Sequence, residues 1–413
     1  MRESVVFSTW LVAAAASGCD PAAGTGGSGH EGRPVAALAV SNVTILDLRA
    51  NALRVGHTVV VEAGRITAVG NPAAVVIPAG AERVDGDGAI LMPALVDLHA
   101  HDVVGGRHAY LGHGIGLVRV MWGTPDQQRL AEGVERGDDV GPRMVLASPG
   151  HDGPPASWPL TRMVLDPADA AAAVARAVDE GWSYLKVYDR LSLASYRALV
   201  TEAARRGIPV VGHVPFAVDL EEALRFGQRS IEHLSGYEAA LAGRPGPNPA
   251  GWAAVDRARM PALAAATAAA GVGNTPTLAI TGALARRNWP TEAGAIVANR
   301  RAMVAALHAA GARLLVGSDA GIGVVAPGAS LIEEIREFVA AGIPVTETLL
   351  MATEGGAEFL GRDAGVVAVG REASFVLLAA DPRIDLSVLS RPLGMLTGGR
   401  WYSGAELAGF RTQ

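Results

Sequence analysis

Apolar and polar positions alternate in three textures along the chain. From Val35 to Leu91, short β-branched runs (Val40–Leu46, Thr58–Glu62, Ile66–Val69) are separated by Gly, Asn and Pro. That is the pattern of antiparallel strands joined by tight turns. From Pro93 to about Gly361 the texture becomes strand, loop and Ala-rich helix in repetition. Strands are expected at Leu95–His101, Gly116–Trp122, Arg143–Ser148, Tyr184–Tyr188, Pro209–Val214, Ser230–Leu234, Thr275–Ile280 and Leu314–Asp319. Helical patterns such as Pro167–Gly181, Ala194–Gly207, Asp219–Gly227, Ala253–Gly271 and Leu331–Gly342 lie between them, several closed by the glycine that favours a helix end. Eight strands with intervening helices predict an α/β fold, a (β/α)8 TIM barrel over 93–362. After Gly365 the β texture returns (Val366–Val369, Ser374–Ala379, Gly394–Trp401), so 35–92 and 363–413 are expected to pair into a small β-sandwich domain.

The start of the chain is different again. After Arg2, the run Val5–Gly18 is apolar except for Ser and Thr. It is too short to cross a bilayer core, which takes about 20 residues, and it fits the hydrophobic region of a signal peptide over 1–18. The run ends Ala16-Ser17-Gly18-Cys19, which resembles a bacterial lipobox, so Cys19 is the expected lipidation site. Residues 19–34, rich in Gly, then read as a flexible tether. These features predict an exported, membrane-anchored lipoprotein facing the periplasm or cell exterior, with the membrane touched only through its lipid.

Composition narrows the chemistry. The chain has 413 residues, half of them hydrophobic and 18% charged, which supports a substantial core. A net charge of -6 gives no basic face for nucleic acid. One cysteine excludes an intrachain disulfide and a Cys-rich zinc module. Of 35 cationic residues, Lys186 is the single lysine.

Catalytic groups of such barrels sit at the C-terminal ends of the strands. The first strand ends Asp97-Leu98-His99-Ala100-His101; side chains two apart share a face, so both imidazoles can hold one metal. The fourth strand carries Lys186, the fifth His213, the sixth His233 and the eighth Asp319. Their joint placement at one end predicts convergence of four imidazoles, a carboxylate and an amine. Lys186 lies within the apolar stretch Tyr184–Tyr188, an expensive place for a charge. Unlike a guanidinium, its amine can lose a proton and react, and with carbon dioxide it gives a carbamate able to bridge two metals.

These residues carry a resemblance. Met92–His101, Lys186-Val-Tyr-Asp-Arg-Leu-Ser192, Val211-Gly-His213-Val-Pro215, Ser230–Tyr237 and Gly317-Ser-Asp319-Ala-Gly321 resemble the amidohydrolase superfamily, in its imidazolonepropionase-like and prolidase-like branch. The stretch Gly365–Leu378 is similar to that family's returning C-terminal strands, with Ser374 where members usually carry Asp. The resemblance implies two divalent metal ions, zinc by expectation: His99, His101 and Asp319 on the more buried one, His213 and His233 on the other, carboxylated Lys186 between them. Such a pair yields a bridging hydroxide near neutral pH, with Asp319 as proton acceptor and donor. Tyr237, on a loop at the mouth, is expected to contact the substrate, as are His151 and His108; His113 is a further pocket candidate. The implied activity is hydrolysis of amide bonds in small substrates, such as X-Pro dipeptides or N-acyl amino acids. Two other readings use the same features: a phosphotriester or lactone hydrolase, and a non-catalytic binding lipoprotein, the latter disfavoured because no ligand is missing.

Overall fold

The computed structural model describes residues 32–243 and 248–412. The signal peptide, Cys19 and most of the expected tether lie outside the described residues.

Both ends of the described chain enter one nine-stranded sheet. Its order is Arg33–Pro34, Arg400–Ser403, Gly394–Thr397, Phe375–Leu378, Ile90–Pro93, Ala37–Asp47, Ala52–Glu62 and Arg65–Gly70, with Glu82–Asp85 also paired to Ala37–Asp47. The Phe375–Leu378 strand runs antiparallel to Ile90–Pro93, with Phe375 opposite Pro93. The alternation of apolar residues explains which face is covered. Leu38 and Val40 are buried, then Asn42 adopts a left-handed φ of 53°, and the buried set continues at Val43 and Ile45. A register shift between Val40 and Val43 marks the bulge that keeps both halves of this strand pointing at the same core. That core also takes in Val59, Val61, Ile66, Leu91, Phe375 and Leu396. The edge strand Arg65–Gly70 folds back to bridge Glu372, so its far edge meets the chain just before Phe375.

The middle of the chain supplies the parallel strands. Leu95–Ala100, Ile115–Val120 and Arg143–Leu146 form one sheet. Arg162–Met163, His151–Asp152, Leu185–Val187, Val210–Gly212, Ser230–Glu232 and Gly273–Thr275 form the other. A parallel bridge from Ala147 to Tyr184 connects the two. Helices separate most consecutive strands, for example Pro125–Arg136, Ala170–Asp179, Leu193–Arg206 and Met260–Ala270. Thr124 starts Pro125–Arg136 with a capping box, and Gly207 ends Leu193–Arg206 in the left-handed conformation.

In the C-terminal part, the expected strand Val366–Val369 does not form and Gly394–Trp401 divides into the antiparallel strands Gly394–Thr397 and Arg400–Ser403. Two of the eight expected parallel strands also depart from the sequence expectation. The seventh strand is Gly273–Thr275, and the β-branched stretch expected to carry it on to Ile280 instead begins a helix at Leu278. Pro276 has no N–H for a ladder, Thr277 turns left-handed at φ 49°, and the buried Glu334 carboxylate accepts from the Leu278 and Ala279 amides at 2.9 and 2.7 Å. The eighth segment, Leu314–Asp319, is extended without forming a regular strand. It is held by a bridge from Asn274 to Leu314 and, just beyond it, one from Ala100 to Ala320. Backbone bonds from Leu98 N to Val316 O (3.0 Å) and Asp319 N to His99 O (2.7 Å) bind it to the first strand.

Gly317 is what permits that approach: a Cβ there would lie 2.6 Å from Thr275 Cγ2 and 2.7 Å from the His99 amide nitrogen. Gly317→Ala should therefore destabilise the protein by about 1–3 kcal/mol, read as a lower urea midpoint at unchanged m value. An unchanged midpoint would show that this contact is looser than described.

Candidate metal centre

The strand ends bring six side chains to one place. His99 and His101, two apart as the strand period requires, direct their Nε2 atoms to Asp319 Oδ1 at 3.2 and 2.9 Å. The His233 ring lies 4.7 Å from that of His99 and 4.9 Å from that of His213. His233 Nδ1 is 3.8 Å from Asp319 Oδ2, and His99, His233 and Asp319 form a group of potential ligand atoms all within 4.8 Å of one another. Lys186, only 1% exposed, faces the same cavity as His101, His213, His233 and Asp319.

Three of the four imidazoles are held by a partner on Nδ1. His99 Nδ1 meets the Glu232 carboxylate at 2.8 Å, His213 Nδ1 meets Asp189 at 2.6 Å, and His233 Nδ1 meets the Thr277 hydroxyl at 2.7 Å. Thr277 Oγ1 donates its own proton to the Pro276 carbonyl, so it accepts from the imidazole. An imidazole whose Nδ1–H is engaged in this way leaves Nε2 as the nitrogen available to a metal. Glu232 is held in turn by Arg119, whose Nη2 lies 3.1 Å from both carboxylate oxygens.

Electrostatics agree with that arrangement. Burial pushes the His101 and His233 imidazoles below their ordinary range, against the pull of Asp319. Burial would raise Asp319, but His233, His99 and His101 outweigh it and hold the carboxylate well below its usual range. Burial also lowers the Lys186 ammonium to about 8, against the pull of Glu232 and Asp319. His99 Nε2 and Asp319 Oδ1 are buried yet lack a hydrogen-bond partner. Two such acceptors side by side are what a cation satisfies, and the donor set of neutral imidazoles and an ionised carboxylate fits a divalent one.

The backbone is strained at the same positions. His233, Leu234, Thr277 and Asp319 all adopt left-handed φ values, of 60°, 53°, 49° and 58°. Non-glycine residues there cost on the order of 1–3 kcal/mol each and persist where their surroundings over-determine them.

The cavity above these groups has a volume of about 550 Å³. Its wall differs from the sequence expectation. Tyr237 is buried at the start of the Tyr237–Ala242 helix with its hydroxyl 2.9 Å from Thr267 Oγ1, because the left-handed turn after His233 carries the chain away from the mouth. His108 stacks on Phe410, with ring centres 4.7 Å apart. His151 lies behind the fourth strand with Nδ1 3.1 Å from the Lys186 carbonyl oxygen, where burial lowers it to about 4. His113 bonds to the Ala109 carbonyl oxygen of its own helix. None of the four lines the cavity; Trp122, Trp158 and Tyr188 do. Trp122 and Tyr188 were within reach of the strand-end rule, Tyr188 being two residues past Lys186. Trp158 stands in a Gly/Pro-rich loop with no periodic signal.

The sequence profile of the amidohydrolase family matches residues 90–401. The chain belongs to that family and is a hydrolase acting on carbon–nitrogen bonds. Among solved structures, a bottromycin amidohydrolase is 30% identical with a TM-score of 0.73, over 92% of this chain and 89% of that one. A prolidase complexed with N-methylphosphonate-L-proline is 22% identical, with a TM-score of 0.68 over 89% of this chain and 99% of that one. A Xaa-Pro dipeptidase with bound methionine is 16% identical, with a TM-score of 0.71 over 89% and 100% of the two chains. A comparison with curated proteins found no match.

The orienting partners give a direct test. Asp189→Ala releases the His213 ring, and metal affinity is expected to fall roughly 10–100-fold with circular dichroism unchanged, measured by zinc competition against a chromophoric chelator. Unaltered affinity would show that Asp189 does not position a ligand.

Proposed function

We propose that this chain is a metal-dependent hydrolase of amide bonds in small peptide-like substrates, the class that includes X-Pro dipeptides and N-acyl amino acids. Two divalent cations, zinc by the nature of the ligands, are held by His99, His101, His213, His233 and Asp319. Lys186 would complete the ligand set as a carbamate, formed when its neutral amine adds to carbon dioxide and releases a proton. Bound there, the cations polarise the scissile carbonyl and acidify water. Asp319 takes up the proton lost as water adds to the carbonyl carbon, and returns it to the nitrogen as the C–N bond breaks. Glu232, Asp189 and Thr277 keep the imidazoles oriented throughout.

One observation carries the reading: the chain's single lysine, three imidazoles and a carboxylate line one cavity, with His99 beside that carboxylate, and His99 Nε2 and Asp319 Oδ1 lack any other partner. The parallel strands form the scaffold of this reading. The bridges Ala147–Tyr184, Asn274–Leu314 and Ala100–Ala320 support their closure into one (β/α)8 cylinder over 93–362. The nine-stranded sheet, folded over its own core, is then the sandwich domain of 35–92 and 363–413. We further infer export and lipid attachment at Cys19. That part rests on the sequence alone; among the described residues no helix is long and apolar enough to cross a membrane.

Metal analysis of the purified protein with Lys186→Arg and Lys186→Ala tests the proposal. Both variants should lose about half or more of the metal and nearly all turnover, and a short carboxylic acid should partly restore Lys186→Ala. Two metals and full turnover in Lys186→Arg would sink the carbamate bridge.

A further inference from the structure

The cavity has a continuous aromatic wall. Trp122 meets Tyr188 edge to face at 5.3 Å between ring centres, and Trp158 Nε1 donates to the Tyr188 hydroxyl at 2.8 Å. The Trp122 indole N–H donates to the Pro159 carbonyl at 3.2 Å. Both indole donors are therefore engaged, and the wall offers flat apolar faces rather than free polar groups. Leu160, 59% exposed on the same loop, continues it toward the rim.

The cavity lining also carries Asp102 and Asp126. Among the described residues lining the cavity there is no arginine, although all but one of the chain's 35 cationic residues are arginines. Arg129, which pairs with Asp126, is not among the lining residues. Lys186 does line it, but in the proposed site it is consumed as the bridge. Apart from the proposed cations, a free α-carboxylate entering here would meet no guanidinium among the described lining residues and would lie near the Asp102 carboxylate.

We infer, building on the amide-hydrolase reading, that the substrate bears an aromatic group and has no free carboxylate beside the scissile nitrogen. Within the proposed class, this selects carboxyl-blocked amides or peptide bonds inside a longer chain and sets aside free X-Pro dipeptides and N-acyl amino acids. The wall binds the ring by stacking, and the acidic lining tolerates a neutral or cationic continuation of the chain.

The test is a matched pair: phenylalanyl-proline and its carboxamide, which differ in the carboxylate alone, with alanyl-proline amide as the control for the ring. With zinc-loaded enzyme, kcat/KM for the phenylalanyl amide should exceed that of the free acid by about tenfold or more, the equivalent of one lost charge interaction. It should also exceed that of the alanyl amide, and Trp158→Ala should erase this second preference mainly through KM. The zinc-loaded Asp319→Asn variant supplies an independent readout, binding followed by the fluorescence of Trp122 and Trp158, in which the amide should again bind more tightly than the acid. Equal or tighter binding of the free acid overturns the inference. Faster hydrolysis of the free acid overturns it too, while leaving the amide-hydrolase reading intact. Preferential amide binding with no hydrolysis of any of the three would instead sink the amide-hydrolase reading and leave the specificity of the cavity standing.

Discussion

One buried guanidinium ties the centre of the molecule together. Arg119, with no exposure, rises from the second parallel strand and donates to Leu98 O on the first at 2.6 Å. It also reaches Ser230 Oγ on the sixth at 2.8 Å and Thr275 Oγ1 on the seventh at 3.1 Å. Its charge is answered by Glu232, whose carboxylate stays well below its usual range because Arg119, His99 and Lys186 together outweigh the burial that would raise it. A buried ion pair adds little net stability, but removing one member costs about 3–5 kcal/mol. Its value here is geometric: four strands are fixed relative to one another, and Glu232, held on one side, fixes His99 on the other.

That arrangement shows why so much of the centre was legible in the sequence. His99 and His101 obey the strand period, Lys186 lies inside a short apolar run, and His213 and His233 each lie just past the end of a short strand, so order along the chain was enough to gather them. Asp319 followed the same rule although its segment forms only isolated bridges. What failed was anything decided by a backbone turn. His233, Leu234 and Gly236 all lie at positive φ, and that reversal buries Tyr237, which simple continuation would have left at the mouth. The short strand His151–Asp152, just before the Gly/Pro-rich loop, turns His151 inward behind Lys186, a choice of face that composition does not reveal. Arg119 and Glu232 were visible as charges in apolar strands, the same anomaly that singled out Lys186, but neither was rare enough in composition to attract notice.

Strain and stability are distributed unevenly. The sheet built from both chain ends carries its irregularity at Asn42, where a bulge preserves the burial pattern and serves packing. The parallel strands carry theirs at His233, Thr277 and Asp319, where no core benefit is evident and each distorted residue is a candidate ligand or the residue that orients one. Distortion of the first kind maintains a core. Distortion of the second kind is tolerated because side chains must be aimed, and the surrounding apolar layers supply the compensating free energy.

The seam between Gly273–Thr275 and Leu95–Ala100 has its own consequence. It is spanned by a segment stitched with a few backbone bonds rather than a full ladder, and that segment carries Asp319. Breathing of the parallel strands should begin there, since local opening follows the sparsest bonding. A cation gripping Asp319 together with His99 and His101 would then act as a rivet across the weakest joint. Architecture and chemistry would be locked to one carboxylate, so that residue cannot drift in evolution without loosening the vessel as well as emptying it.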